Sequence, residues 1–267
     1  MRAAATPPGP IVVAEALRLN YGQGTVAVPA LNGVSFQVER GEVVLILGPS
    51  GSGKTTLLQV LGALRRPTSG SVRIDGTAIE GLSEKARRDL RLAYFGFVFQ
   101  AHHLIPTLKA WENVALALDL KGIRGRSAEE RSRVLLDELG LGNRADAYPA
   151  QMSGGQRQRV AVARACALDA PIILADEPTA SLDSASGRQV IELLGALAHE
   201  RERAVVIVTH DTRLRAAADR SISIEDGRIA AESAWQMNMP RRRPSPSASP
   251  PASAGNQGER DWPSPAF

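Results

Sequence analysis

Residues 48–55 narrow the possible folds of this chain more than any other part of its sequence. They read Gly-Pro-Ser-Gly-Ser-Gly-Lys-Thr and match the pattern G-x-x-x-x-G-K-[ST]. An apolar run, 42–47, precedes them, and a segment of helical character, 54–64, follows. Glycines let the backbone turn tightly and aim successive amides at one anion, and a helix N-terminus adds positive potential. The pattern therefore predicts a strand, a phosphate-binding loop and a helix within an α/β fold.

The residues of this loop have separate predicted parts in holding a nucleotide. Lys54 is expected to reach the β- and γ-phosphates, and the Thr55 hydroxyl is expected to ligate Mg²⁺. The predicted nucleotide-binding residues of this segment are Gly48, Pro49, Ser50, Gly51, Ser52, Gly53, Lys54, Thr55 and Thr56.

Strand-like and helix-like segments alternate along the chain, which favours a mostly parallel sheet with a helical insertion between about 102 and 169. Ser127 and Glu130 predict a capping box for a helix through Leu139, and Asp211 predicts the N-cap of a later helix. A turn is expected at 20–22. Further strands are expected at 71–75, 94–99, 172–175, 205–208, 221–224 and 228–230, and a helix at 187–199.

Composition marks the ends of the folded region. Residues 240–267 contain seven prolines and five serines. So few aliphatic side chains cannot offset the entropy lost on ordering, so this segment is predicted to be a disordered tail. We expect residues 1–9 to be a flexible N-terminus and 10–235 to be one folded domain, with a helical subdomain at about 101–168.

Charge, cysteine content and the lengths of apolar runs bear on three possibilities: nucleic-acid binding, a disulfide-bonded or reactive cysteine, and a membrane-spanning helix. The formal net charge is +4, and no long Lys/Arg stripe marks the body of the chain, so a nucleic-acid partner is not predicted. The single cysteine, Cys166, lies in a helical pattern and is expected to be a core residue in a reducing compartment. Nowhere do 18 apolar residues run together, so the sequence predicts no membrane-spanning helix.

Two adjacent acids end the apolar run Ile172–Ala175. Asp176 is placed to hold Mg²⁺, directly or through water, and Glu177 is the better candidate to orient or deprotonate an attacking water. Two acids at a strand end are more often part of a turn. The phosphate-binding loop upstream is what favours the catalytic interpretation.

A second helix start suited to an anion occurs at Ser153-Gly154-Gly155-Gln156, before the strongly helical segment 157–165. One chain thus has one phosphate-binding loop but two phosphate-binding helix ends. A single nucleotide could use both if two copies faced each other head to tail, which is a two-fold, isologous dimer.

With these residues in view, the chain resembles the ATP-binding subunits of ABC transporters over roughly residues 10–232. MSGGQRQRVAVARA resembles the family signature, with Met152 where leucine is usual; Gln100 in FGFVFQ resembles the glutamine that senses Mg²⁺. ILADEPTASLD carries both acids and a D-loop that ends in Asp183, His210 in VTHD resembles the switch histidine, and Tyr21 resembles the aromatic residue that stacks on adenine. The longer segments 48–72 and 96–114 are similar to an export-related group that serves lipoprotein release, macrolide export and glycolipid export, and that includes the cell-division ATPase.

The resemblance implies a P-loop NTPase core with a mostly parallel sheet, an antiparallel β subdomain and a helical insertion. It implies an ATPase that uses ATP and Mg²⁺, with Lys54, Gln100, Glu177 and His210 as catalytic residues and Thr55, Gln100 and Asp176 at the metal. Ser153–Gln156 would contact the ATP of the partner copy.

The same resemblance implies a homodimer in the ATP-bound state, an integral membrane permease as partner, and a periplasmic adaptor protein as a further candidate. It places the chain in the cytoplasm, on the inner face of the cell membrane. One alternative is an ATP-driven regulatory module that acts on a cell-envelope hydrolase without transport. A DNA-repair or chromosome-organising ATPase is a weaker rival, because the chain lacks heptad runs and a cysteine cluster.

Overall fold

The computed structural model describes residues 9–22 and 27–234, which form ten strands and six α-helices. The predictions for the termini, 1–8 and 235–267, lie outside the described residues. The strands are β1 (Val12–Tyr21), β2 (Val28–Val38), β3 (Val43–Leu47), β4 (Ser69–Ile74), β5 (Thr77–Ala78), β6 (Phe95–Val98), β7 (Ile172–Asp176), β8 (Ala204–Thr209), β9 (Arg220–Glu225) and β10 (Arg228–Ala234). The helices are α1 (Lys54–Leu61), α2 (Glu84–Tyr94), α3 (Ala110–Asp119), α4 (Gly125–Glu138), α5 (Gly154–Cys166) and α6 (Ser184–Arg201).

Two sheets make up the β-structure. The larger has the order β10-β9-β3-β8-β7-β6, in which β9, β3, β8, β7 and β6 run parallel and only β10 is antiparallel to its neighbour. The smaller has the order β2-β1-β4-β5, with every pair antiparallel. The predicted fold class, a mostly parallel core sheet with an antiparallel β subdomain and a helical insertion, is confirmed.

Strand β3 is buried on both faces, as its unbroken apolar sequence requires. Val44 and Ile46 join a core that includes α1 and the antiparallel sheet, while Leu45 and Leu47 join a core shared with α5 and α6. The strand therefore fixes the phosphate-binding loop that follows it from two sides.

A third core belongs to the helical insertion, where α3, α4 and α5 pack against one another. Helix α5 contributes to this core through Val160 and Ala163 and to the core under the parallel sheet through Val162 and Cys166. Burial raises the pKa of the Cys166 thiol to about 11, as expected for a core cysteine. Helix α5 thus joins the insertion to the sheet.

Of the two predicted N-caps, Asp211 is confirmed and Ser127 is not. Asp211 is an N-cap, since its carboxylate accepts from the amide of Arg213, but the helix that follows is a short 3₁₀ helix over Thr212–Ala217. The capping box predicted at Ser127 and Glu130 is wrong, because α4 begins at Gly125 and Glu130 instead bonds Arg126 at 2.7 Å.

Several predicted boundaries also need correction. The turn expected at 20–22 begins too early, because Tyr21 is still in β1 and pairs with Val28. Helix α1 ends at Leu61, before the expected 64, where Gly62 packs so closely on Phe97 that a Cβ would lie 2.7 Å from the ring. Tyr94 ends α2 rather than beginning β6, and α2 was not predicted at all.

None of the helices in the described residues has the length and apolar composition that a membrane span requires.

Candidate functional site

Three neighbouring parallel strands end at the same edge of the sheet and carry the candidate residues there. In the ladder, Leu47 at the end of β3 pairs with Thr209 at the end of β8, and Asp176 at the end of β7 pairs with Val208. Ligands of open α/β sheets bind outside the carboxyl ends of the strands. The pairing therefore brings together two acids and a phosphate-binding loop that are more than a hundred residues apart in the chain.

The glycines of the loop are required by the backbone. Gly51 and Gly53 have φ of 82° and 101°, values that a residue with a Cβ rarely adopts. A Cβ on Gly48 would collide with the carbonyl oxygen of Ile224, and one on Gly53 with that of Ala30. The loop is thus fixed in shape by the strands around it.

Two polar side chains face into this loop. Nζ of Lys54 donates to the carbonyls of Gly48 and Pro49, both at 2.8 Å, which leaves its third proton for an anion. The Oγ atom of Ser52 is buried and has no hydrogen-bond partner within the described chain. Buried polar atoms normally have partners, so an unpaired hydroxyl beside a buried ammonium fits a loop shaped for phosphate oxygens.

Thr55 and Asp176 form a pair of oxygen donors that fits the predicted Mg²⁺. Oγ1 of Thr55 donates to Oδ1 of Asp176 at 3.1 Å, although the two residues are 121 positions apart. Burial raises the pKa of Asp176, to which the neighbouring carboxylate of Glu177 also contributes. A hydroxyl and a partly desolvated carboxylate are the donor types that Mg²⁺ prefers. No cluster of three or more His, Cys, Asp or Glu side chains suited to a metal occurs in the described residues, at this site or away from it.

Glu177 lies in a hydrogen-bonded network with the end of β8. Its Oε1 is 2.8 Å from Nδ1 of His210, and its Oε2 accepts from Oγ1 of Thr209 at 2.9 Å. Its backbone has φ of 45°, a left-handed conformation held by the bond from its amide to the Val208 carbonyl. Thr209 was not among the predicted site residues, although it directly precedes His210 in the sequence. The structure thus fixes both oxygens of the carboxylate.

Tyr21 is placed beside the helix that follows the loop. Its hydroxyl lies 3.1 Å from Oγ1 of Thr56, and the guanidinium of Arg65 lies over its ring at 4.8 Å from the centroid. The bond to Tyr21 occupies the Thr56 hydroxyl. Tyr21 therefore lies beside the first turn of α1, and its contact with a nucleotide base stays a prediction.

The second anion-suited helix start is a capping box. The amide of Gln156 donates to Oγ of Ser153, and the amide of Ser153 donates to Oε1 of Gln156. A Cβ on Gly154 would lie 3.2 Å from the Leu182 side chain, and one on Gly155 would lie 2.9 Å from Cβ of Ser186. The glycines therefore let α5 pack closely against the segment that begins α6.

Asp183, predicted as a D-loop residue, caps α6 within its own chain. Its Oδ1 accepts from the amides of Ala185 and Ser186, and these bonds lower the pKa of the carboxyl group. An N-cap of this kind fixes where the helix starts and therefore how residues 181–183 are presented.

One predicted metal residue is not joined to the others within the chain. Gln100 follows β6 with an exposed side chain, which forms no hydrogen bond to Thr55 or Asp176, all three being described residues. Ser153–Gln156 likewise form no hydrogen bond with residues 48–56 in the described chain.

The family model and the individual proteins that this chain resembles all belong to ABC transporters. The family model described as ABC transporter matches residues 31–180. The lipoprotein-releasing system ATP-binding protein LolD of Bordetella pertussis is 45% identical over 221 residues, which are 83% of this chain and 96% of LolD. The macrolide export ATP-binding/permease protein MacB 1 of Aeromonas hydrophila is 42% identical over 252 residues, and the chain spans only 38% of its length.

A solved structure resembles this chain over a similar share of its length. The dimeric, post-hydrolysis state of the ATP-binding cassette MJ0796, bound to ADP and Pi, superposes with a TM-score of 0.77 at 40% identity. The match covers 84% of this chain and 98% of that cassette.

Proposed function

The chain belongs to the ABC transporter family of ATP-binding proteins, and on that premise we propose that it powers release or export by a separate integral membrane permease. It is an ATPase, with ATP as substrate and Mg²⁺ as cofactor. The observation that carries the proposal is the similarity to LolD along 96% of that protein. The names of the relatives, lipoprotein release and macrolide export, favour transport over the regulatory alternative. We propose a place on the inner face of the cell membrane, bound to the permease; a periplasmic adaptor rests on the resemblance alone.

We propose that the working unit is a head-to-tail dimer with one nucleotide at each of two equivalent sites. The phosphate-binding loop of one copy and the start of α5 in the other would supply the two halves of each site. The dimeric state of the similar MJ0796 cassette supports this arrangement. Within the described chain no hydrogen bond joins residues 48–56 to Ser153–Gln156, which supports it too.

In the proposed mechanism, loop amides and Lys54 bind the phosphates, and Thr55 with Asp176 would hold Mg²⁺. When bound, Mg²⁺ neutralises charge on the phosphates. Glu177 would orient the attacking water and accept its proton, while His210, whose Nδ1 lies 2.8 Å from Oε1 of Glu177, would contact the γ-phosphate. The start of α5 in the other copy adds amides and helix potential as charge develops on the γ-phosphoryl group.

Thr209 gives a prediction about this mechanism. Thr209→Val removes the donor to Oε2 of Glu177 and keeps the volume of a fully buried side chain. We expect kcat to fall about tenfold, the effect of losing one hydrogen bond to a charged group, while KM for ATP changes little. Steady-state kinetics of the purified protein measure both constants. Thr209→Ser keeps the hydroxyl and is expected to retain activity near that of the parent; equal losses in both variants would contradict the role assigned to the hydroxyl.

A groove between β6, α2, α3 and the end of α5, which includes Arg164, is the proposed surface for the permease. Its volume is about 540 Å³, and three leucines at its rim, Leu64, Leu116 and Leu120, are between 38% and 64% exposed. Phe97 and Phe99 form its floor, which follows directly into Gln100. A large exposed apolar groove marks an interaction site, and its position next to Gln100 would let the permease respond to the nucleotide.

The permease interaction can be tested separately from hydrolysis. Leu120→Asp places a charge at the groove, and we expect it to prevent recovery of the chain with its permease from detergent-solubilised membranes. ATPase activity of the isolated chain should stay within about twofold, since Leu120, at the end of α3, is not one of the residues assigned to the phosphate-binding site. Val134, 58% exposed on α4 and outside the groove, offers the control Val134→Asp. If both variants bind the permease as the parent does, this surface is wrong.

A further inference from the structure

The segment that follows Gln100 has an unusual backbone. His102 and His103 are consecutive residues with φ of 58° and 48°, in the left-handed region that non-glycine residues seldom adopt. Two such residues in succession persist only where surrounding contacts hold them. Local bonds from their own amides and a side chain from another part of the chain hold these two residues.

Arg164, in the last turn of α5, binds both residues at once. Its Nη1 donates to the carbonyl of His103 at 2.6 Å and its Nη2 to the carbonyl of His102 at 2.7 Å. In the described part of the chain its partners are these two carbonyls and no carboxylate, and burial lowers the pKa of its guanidinium. A planar guanidinium presents two parallel donors in a fixed geometry, which suits two adjacent carbonyls.

The far end of the same segment is fixed as well. Asn113 on α3 is fully buried; its Oδ1 accepts from the amide of Ile105, and its Nδ2 donates to the carbonyls of Ile105, Leu108 and Lys109. Gln100 therefore lies between the end of β6 at Val98 and the bonds from Arg164. Little freedom is left to its backbone unless those bonds break.

We propose that Arg164 is a positioning residue that ties the placement of Gln100 to helix α5. This inference rests on the proposed dimer, in which Gln100 serves the nucleotide of its own copy and the start of α5 serves that of the partner. Arg164 lies ten residues after Gly154, about 15 Å along one continuous helix. A shift of α5 on contact with the partner's nucleotide is then passed to Gln100, so each copy couples the two sites of the dimer.

The test compares Arg164→Lys with the parent in the full chain, with Mg²⁺ and ATP as the varied ligands. Lysine keeps the charge but cannot supply two parallel donors. We expect the Hill coefficient for ATP to fall toward 1 from a parent value that can reach 2 for two sites, and the Mg²⁺ concentration for half-maximal activity to rise about tenfold. Binding of ATP without Mg²⁺ should be unchanged. A merely structural arginine would alter the amount of folded protein but neither of these two quantities.

The matched control is Arg159→Lys, which alters another α5 arginine that bonds a backbone carbonyl, that of Leu139, away from Gln100. It should leave both quantities at parent values. A folded Arg164→Lys protein with parent cooperativity and Mg²⁺ dependence would overturn the proposal, as would a parent that hydrolyses ATP without cooperativity. A parent without ATPase activity would instead refute the proposed function.

A measurement on the parent covers the case in which the lysine variant does not fold. The amide of His102 donates to the Phe99 carbonyl and that of His103 to the Ala101 carbonyl. If Arg164 holds this segment to α5, these amides should exchange with deuterium at rates set by the same opening event as the amides of α5. Exchange at least about a hundredfold faster than in α5 would show that the segment moves independently, and would contradict the proposal.

Discussion

Glu177→Gln is expected to bind ATP as the parent does, to accumulate as an ATP-bound dimer, and to lose at least about a hundredfold in turnover. The carboxylate is held by Thr209 and His210, so one oxygen-for-amide exchange keeps its shape and position. The amide cannot accept a proton from water, and the intact γ-phosphate continues to join the two copies. Size-exclusion chromatography with and without Mg²⁺-ATP, together with phosphate release, measures both effects.

The control for this experiment is Glu200→Gln, which neutralises an exposed carboxylate on α6 and should keep parent activity and a parent monomer–dimer equilibrium. Two outcomes would contradict the assignment. Parent-like phosphate release by Glu177→Gln would show that another group activates the water. Loss of ATP binding by this variant would show that the carboxylate acts in nucleotide affinity rather than in catalysis.

The parts of the site that sequence predicts well are those determined by neighbouring residues. The strand, loop and helix around residues 43–61 follow from an apolar run, three glycines in their required places and a lysine within the next helix. Asp176 and Glu177 are equally local, because they end an apolar strand. In each case the physical cause lies within about ten residues of the motif.

Capping shows how local patterns can mislead. Ser127-x-x-Glu130 and Ser153-x-x-Gln156 both fit a capping box, yet only the second forms one. In α4 the glutamate pairs with Arg126, and the helix begins two residues before the serine. Helix α2 was not predicted, although Ser83 caps it, because six of its eleven residues are charged and only Arg87 and Leu90 are buried, so few apolar side chains mark the helix in the sequence.

Contacts across long stretches of chain could not be predicted. The bond of Thr209 to Glu177 spans 32 residues, and those from Arg164 to His102 and His103 span 62 and 61. Each depends on which strands and helices become neighbours, which the sheet order decides and the local sequence does not. The two residues that the structure adds, Thr209 and Arg164, are both of this kind.

Gly154→Asp carries the second large expected effect, because it tests whether two copies share one nucleotide. A carboxylate in the first turn of α5 favours the helix, so the fold should be retained, with Leu182 moving slightly to make room. The same charge would repel the γ-phosphate of the partner's nucleotide. We expect ATP binding to each monomer to stay near the parent value and turnover to fall at least about a hundredfold.

Mixing two inactive variants makes the test specific to a shared site. Lys54→Ala damages the phosphate-binding loop and Gly154→Asp the start of α5, so a mixed dimer has one site with both defects and one site with none. Random mixing gives about half mixed dimers, each with one intact site of two, so up to about a quarter of the parent turnover should return. A double variant with both changes, mixed with either single variant, leaves no intact site in any dimer and is the control, for which no recovery of turnover is expected. Two results would show that the nucleotide is not shared between copies. One is that the two single variants stay inactive when mixed, although each still dimerises with the parent. The other is that Gly154→Asp alone retains parent turnover.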